Sequence, residues 1–120
     1  MLDVFYVDIN ESIAMNNINE LILYISEAKA EKIMKFYDFK DMYRSVLGEI
    51  LARYLVCRRT NCLNENVEIS IGKNNKPVLI YPNNLYFNIS HSNDLVTCAV
   101  SDVDVGVDIE YMKKINLKSC

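Results

Sequence analysis

Phe87-Asn88-Ile89-Ser90-His91-Ser92 sets the single histidine of the chain between two serines, and Val105-Gly106-Val107-Asp108-Ile109-Glu110 follows after one strand-length excursion and return. Read at period two, 103–110 puts Val103, Val105, Val107 and Ile109 on one face and Asp104, Gly106, Asp108 and Glu110 on the other. Two carboxylates at that spacing suit a hard divalent cation such as Mg2+, which takes oxygen ligands and keeps open positions for phosphate oxygens. The run 94–101 alternates as well. A turn near Ser101-Asp102 would pair it antiparallel with 103–110 and bring Ser90, His91, Asp108 and Glu110 to one end of one sheet. Alternation of acids with apolar residues is equally the pattern of any half-exposed strand, so a purely structural reading stands beside the metal reading. A Ser90–His91 nucleophile and base is disfavoured, because adjacent strand residues point to opposite faces.

These residues need a scaffold to position them. Leu2 to Ile9 reads as a strand. Asn17 with Glu20 marks the start of a short helix through Ile25, and Ser26 the start of another to about Phe36. Asp38 is a natural N-cap for the longest helix, roughly 39–58, along which Tyr43, Val46, Leu47, Ile50, Leu51, Tyr54 and Leu55 recur at helical spacing as a core-facing stripe. Thr60 to Asn66 is polar and turn-rich, and a strand at Val67 to Ile71 follows. Gly72 to Asn75 and Pro82 to Asn84 are turn signals around Lys76-Pro77 and a short apolar run. Leu85 to Ser90 opens the strand system that carries the histidine. With no repeat, linker or low-complexity run, the expectation is one α+β domain in which a long helix lies on an antiparallel sheet.

Composition narrows the function classes. At 51% hydrophobic and 24% charged residues over 120 positions, the chain can bury a core and is not a disordered segment. No apolar run is long enough for a membrane span and no basic-then-apolar leader opens the chain, so a cytoplasmic protein without a membrane partner is expected. The net charge of -3 gives no general attraction to nucleic acid. Locally the balance reverses: between Ala28 and Arg59 eight lysines and arginines face four acids, which is either a solvated helix face or an anion site. Cys57, Cys62, Cys98 and Cys120 show no zinc-type spacing, and reduced thiols are expected, with Cys57 and Cys98 packed and Cys120 open to oxidation between chains.

The two signatures, Asn88-Ile89-Ser90-His91-Ser92 with Val105-Gly106-Val107-Asp108-Ile109-Glu110, resemble those of the 4'-phosphopantetheinyl transferases of the surfactin-synthetase-activating type. Upstream, Ser26 to Tyr37, Tyr43-Arg44-Ser45-Val46-Leu47-Gly48-Glu49-Ile50-Leu51 and Gly72-Lys73-Asn74-Asn75-Lys76-Pro77 fall in the family's order and at about its spacing. The resemblance implies transfer of the phosphopantetheine arm of coenzyme A to a serine of an apo acyl or peptidyl carrier protein, with Mg2+ and release of 3',5'-ADP. It implies that Lys29, Lys32, Arg44 and Ser45 lie near the adenosine 3'-phosphate, that Lys76 and Pro77 lie beside the adenine, and that Ser90 and His91 contact phosphate. Asp108 and Glu110 would hold Mg2+ against the pyrophosphate, with His91 completing the catalytic set.

The chain departs from this type in length. Its members are about twice as long, with two similar halves, and the second carries a Trp-Ser/Thr-x-Lys-Glu motif that has no counterpart here. The shorter holo-acyl-carrier-protein synthase type suits the length but not the motif order. The expectation is therefore the N-terminal half, residues 1–120, of a pseudo-twofold fold, with a second half absent, little transferase activity alone, and a homodimer through the uncovered seam. The alternative is a non-catalytic binding module for coenzyme A or a carrier protein.

Overall fold

The computed structural model describes residues 2–92 and 94–103, the side chain of Asn74 excepted. Each helix starts where a short polar side chain takes an otherwise unpaired backbone N–H. Asp8 Oδ1 accepts from Glu11 N at 3.1 Å and opens α1 (Ile9–Met15). Asn17 Oδ1 accepts from Asn19 N at 2.8 Å and opens α2 (Ile18–Leu21), which tightens into a 3-10 turn at Ile22–Tyr24. Ser26 Oγ accepts from Lys29 N at 3.3 Å and opens α3 (Glu27–Ile33). Asp38 Oδ1 accepts from Asp41 N at 3.1 Å and opens α4 (Phe39–Thr60), which stops at Asn61 in the left-handed region with φ 59°. The last three caps are the ones the sequence marks. The first is a difference: the opening strand β1 (Asp3–Asp8) ends a residue early because Asp8 caps a helix that periodicity did not reveal.

β4 (Tyr86–Ser92) and β5 (Leu95–Ser101) form an antiparallel hairpin, and β1 pairs antiparallel with the far side of β5, giving the order β1-β5-β4. β2 (Glu68–Ile71) and β3 (Pro77–Tyr81) form a separate hairpin whose turn is closed by Gly72 N donating to Lys76 O at 2.7 Å. β3 abuts β4. Both edges of β5 are thus taken along its length, by β1 and by β4. The expected pairing of 94–101 with 103–110 is therefore corrected: β5 has no free edge for it, because the N-terminal strand competes for that edge and wins. Asp108 and Glu110 themselves lie outside the described residues.

The architecture is α+β, with α4 laid across β5 and β4 and the three short helices packed along its N-terminal part. Ile9, Ile33, Val46 and Val96 are fully buried in one cluster; Ala52, Val56, Cys98 and Val100 are fully buried in a second toward the C-terminal end of α4. Burial of each such large aliphatic side chain is worth roughly 1.5–3 kcal/mol. Within the expected stripe Tyr43, Val46, Leu47 and Leu55 are buried, and Ile50 and Leu51 are half-buried. Tyr54 is the exception, 53% exposed and edge-on to Phe5 with ring centroids 6.3 Å apart. It sits at the margin of the stripe, where a phenol keeps its hydroxyl in water.

Candidate functional site

Four elements converge on one cleft of about 830 Å3. Lys29 enters from α3, Arg44 and Ser45 from the first turns of α4, Lys76 and Pro77 from the start of β3, and His91 from β4. These residues are far apart in sequence, and the fold brings six of the eight described site candidates to one place. Two are not among the lining residues. Lys32 is exposed on α3, and Ser90 neighbours His91 on a strand whose successive side chains alternate faces. Sequence reasoning gave no part in the site to Phe36, Tyr37, Asp41, Gly48, Asn75 or Ile89, which also line the cleft, and read Asp38 only as a helix cap. A signal existed for Asp41, which lies three residues before Arg44 on a helix and so faces the same side.

The cleft is a donor-rich surface. Asp38 is engaged as the α4 cap, and Asp41 pairs with Arg44 Nη1. Among the described residues, Lys29 and Lys76 have no carboxylate partner. Arg44 Nε is buried with nothing to donate to, the one described side-chain atom in that state. An unmade hydrogen bond at a buried donor costs about 1–3 kcal/mol, so a built cleft that retains one is prepared for an acceptor.

The walls are held by close packing and by one buried ion pair. A Cβ on Gly48 would sit 2.9 Å from Ile89 Cγ2, so glycine permits α4 to approach β4 closely where the cleft floor forms. Beneath it, Arg53 Nε donates to Glu49 Oε2 at 3.1 Å, and both residues are 7% exposed. Arg53 Nη1 also donates to Asn64 O at 3.2 Å and to Val67 O at 3.3 Å, fastening α4 to the segment that leads into β2 and β3. At the far end, Lys40 Nζ lies 3.0 Å from Asp94 Oδ1; this hydrogen bond and the ammonium charge hold the Asp94 carboxyl below its ordinary value. Among the described residues no three histidines, cysteines or acids gather to hold a metal ion, and no helix is long and apolar enough to cross a membrane.

A family model described as 4'-phosphopantetheinyl transferase, N-terminal, matches residues 14–103. The 4'-phosphopantetheinyl transferase gsp of Aneurinibacillus migulanus is 34% identical over 118 residues, covering 98% of this chain and 49% of that protein. The 4'-phosphopantetheinyl transferase Sfp of Bacillus subtilis (strain 168) is 28% identical over 117 residues, covering 98% of this chain and 52% of that protein. The chain thus spans about half the length of the curated relatives it matches. In fold it resembles a holo-(acyl-carrier-protein) synthase from Bacillus anthracis solved with CoA (3',5'-ADP), with a TM-score of 0.67 at 15% identity over 82% of this chain and 91% of that one. It also resembles the Helicobacter pylori holo-[acyl-carrier-protein] synthase solved with coenzyme A, with a TM-score of 0.60 at 14% identity over 83% of this chain and 97% of that one.

Proposed function

Because this chain belongs to the 4'-phosphopantetheinyl transferases, in the region covered by the family's N-terminal model, we propose that its cleft binds the 3',5'-ADP portion of coenzyme A for transfer of phosphopantetheine to a carrier-protein serine. The observation that carries this reading is the convergence of Lys29, Arg44, Ser45, Lys76 and His91 on one cleft in which Arg44 Nε is buried and unpartnered. Ammonium groups serve phosphate as compact point charges, and a guanidinium presents a planar fork of donors to two phosphate oxygens. Pro77 offers an apolar edge beside which a base can lie, while Lys32 at the outer side of α3 adds to the field that draws a polyanion in.

In this reading His91 and the cleft cations stabilise charge that builds on the leaving phosphate, while Ser90, on the other face of β4, is given no contact with it. Asp108 and Glu110 would hold Mg2+, whose chemistry when bound is to neutralise charge on the pyrophosphate. The carrier serine oxygen attacks the β-phosphorus, the phosphoanhydride bond to the α-phosphate breaks to release 3',5'-ADP, and the serine proton passes to a base that the complementary half would supply. We place the chain as the N-terminal half of the working unit, with low activity when isolated and self-association through its seam. A non-catalytic module that binds coenzyme A is the reading left if the ligand binds and no transfer follows even when a complementary half is supplied.

The test is calorimetric titration of 3',5'-ADP into the folded chain, native and Arg44→Gln. Loss of one charge-assisted hydrogen bond network costs about 1.5–3 kcal/mol, so the variant should bind roughly 10- to 150-fold more weakly. A folded native chain that takes up no 3',5'-ADP, or an unchanged affinity in Arg44→Gln, would remove the basis of the proposal.

A further inference from the structure

At the C-terminal end of α4, away from the cleft-lining residues, Cys57 Sγ and Cys62 Sγ lie 3.9 Å apart. Both side chains are half-buried and pack on the margin of the second core cluster. Their backbones are held differently. Cys57 belongs to the last turns of α4, and its carbonyl accepts from Asn61 N at 2.8 Å. Cys62 follows the left-handed cap in a stretch without regular structure, where its N–H donates to Thr60 Oγ1 at a long 3.4 Å. One sulfur is thus anchored and the other sits on backbone that can yield. A disulfide needs an S–S distance of about 2.05 Å, so closing the gap from 3.9 Å calls for side-chain rotation together with a shift of the backbone at 61–63.

We infer that Cys57 and Cys62 form a reversible dithiol–disulfide site, closed by exchange with a small-molecule disulfide. In the first step the Cys62 thiolate attacks one sulfur of the reagent, its S–S bond breaks, and one reagent thiolate leaves and takes a proton. In the second the Cys57 thiolate attacks Cys62 Sγ in the mixed disulfide, the protein disulfide forms, and the second reagent thiol leaves. Two protein thiols are oxidised, one reagent disulfide is reduced, and both electrons reside on the released thiols. Cys62, on the backbone beyond the end of α4, makes the first attack; burial and the neighbouring Cys62 raise the Cys57 thiol above its ordinary value, so closure is faster as pH rises. Cys98 does not compete: it is fully buried on β5 and its thiol is pushed up to about 12 by that burial. The link would cinch the connection that runs on to Asn64 and Val67, whose carbonyls Arg53 holds, so the site acts on the tether between α4 and the β2–β3 hairpin.

The experiment uses the full chain with Cys120→Ser to remove a route between chains. It is incubated folded with oxidised glutathione in mildly alkaline buffer, then alkylated and mapped by peptide mass spectrometry. The expected product has lost two hydrogen masses, carries a Cys57–Cys62 linked peptide, and retains Cys98 as a free thiol. In Cys57→Ser the reaction should stop at one glutathione adduct on Cys62. A parent chain that remains fully reduced, stops at an adduct, or forms its link through Cys98 would overturn the inference. Because the peptide map of the parent decides by itself, a Cys57→Ser chain that fails to fold leaves the test intact.

Discussion

Replacing Arg53 with methionine is the most discriminating perturbation of this fold. The methionine fills most of the volume, yet Glu49 remains as a carboxylate 7% exposed, the carbonyl of Val67 loses the Arg53 donor, and Asn64 O is left with the Val67 N–H alone. Removing one partner of a buried pair costs about 3–5 kcal/mol, because the survivor keeps its desolvation penalty without its attraction. With a urea slope of about 2 kcal/mol per molar for a chain of this size, Arg53→Met should lower the unfolding midpoint by about 2 M. An exposed ion pair would move it by about 0.5 M at most. Glu49→Leu combined with Arg53→Met should recover about half of the loss or more, since no uncompensated charge remains; the Val67 carbonyl still lacks the Arg53 donor, so recovery is incomplete. The assay is urea denaturation followed by circular dichroism at low and high salt, with the shift nearly independent of salt because the pair is buried. A shift below about 0.5 M for the single variant, or a double variant no more stable than the single, would refute the argument that this pair is a buried fastening between α4 and the hairpin.

Gly48→Ala gains about 1 kcal/mol of helix propensity but sets a methyl 2.9 Å from the branched Cγ2 of Ile89, an overpacking that costs about 1–3 kcal/mol. Calorimetry should show a chain destabilised by about 1 kcal/mol on that balance, and weakened binding of 3',5'-ADP because Ile89 lies two residues before His91; a more stable variant would show that the close approach is not tight. Lys40→Met should raise the Asp94 carboxyl back toward its ordinary value of 3.8, read by NMR titration of the side chain. Its folded-state value being depressed, Asp94 contributes stability that is present above that ordinary value and lost as pH falls through the folded one. The native chain should therefore lose more stability than Lys40→Met on acidification below about pH 4, and equal losses would count against the Lys40 contact.

Much of the helical framework was legible because helix starts are local. Asn17, Ser26 and Asp38 carry their signal within three residues, and the stripe at 43–55 that marks the buried side of α4 is carried within the one helix. α1 was missed although Asp8 and Glu11 encode its first turn, since the apolar residues before it alternate like a strand and mask the boundary. The helix expected through Ile25 is met by α2 and its 3-10 turn to Tyr24, whereas α3 ends at Ile33, short of the expected Phe36. Six of the candidate site residues could be named in advance only through the family's motif order; composition and periodicity by themselves marked a basic region and a histidine between serines.

Strand pairing was the weakest inference, and for a physical reason. An alternating run announces that it is a strand and which residues share a face, but its hydrogen-bonding edges accept any partner of compatible register. The run 94–101 is therefore compatible in sequence with a neighbour on either side, and contacts between β5 and the distant N-terminal strand decide which is used. The same holds for the cleft. Residue types and caps, set by short-range chemistry, determined that there would be a long amphipathic helix, an antiparallel sheet and a supply of cations on the middle of the chain. Only the tertiary structure decided that Lys29, Arg44, Lys76 and His91 share one cavity, that Arg44 Nε is buried there unpartnered, and that the Glu49–Arg53 pair fastens the hairpin wall. The cavity joins positions tens of residues apart, and the Arg53 contacts to Asn64 and Val67 reach across the fold from a pair that is local on α4; both exist only after burial has fixed how α4 lies on the sheet.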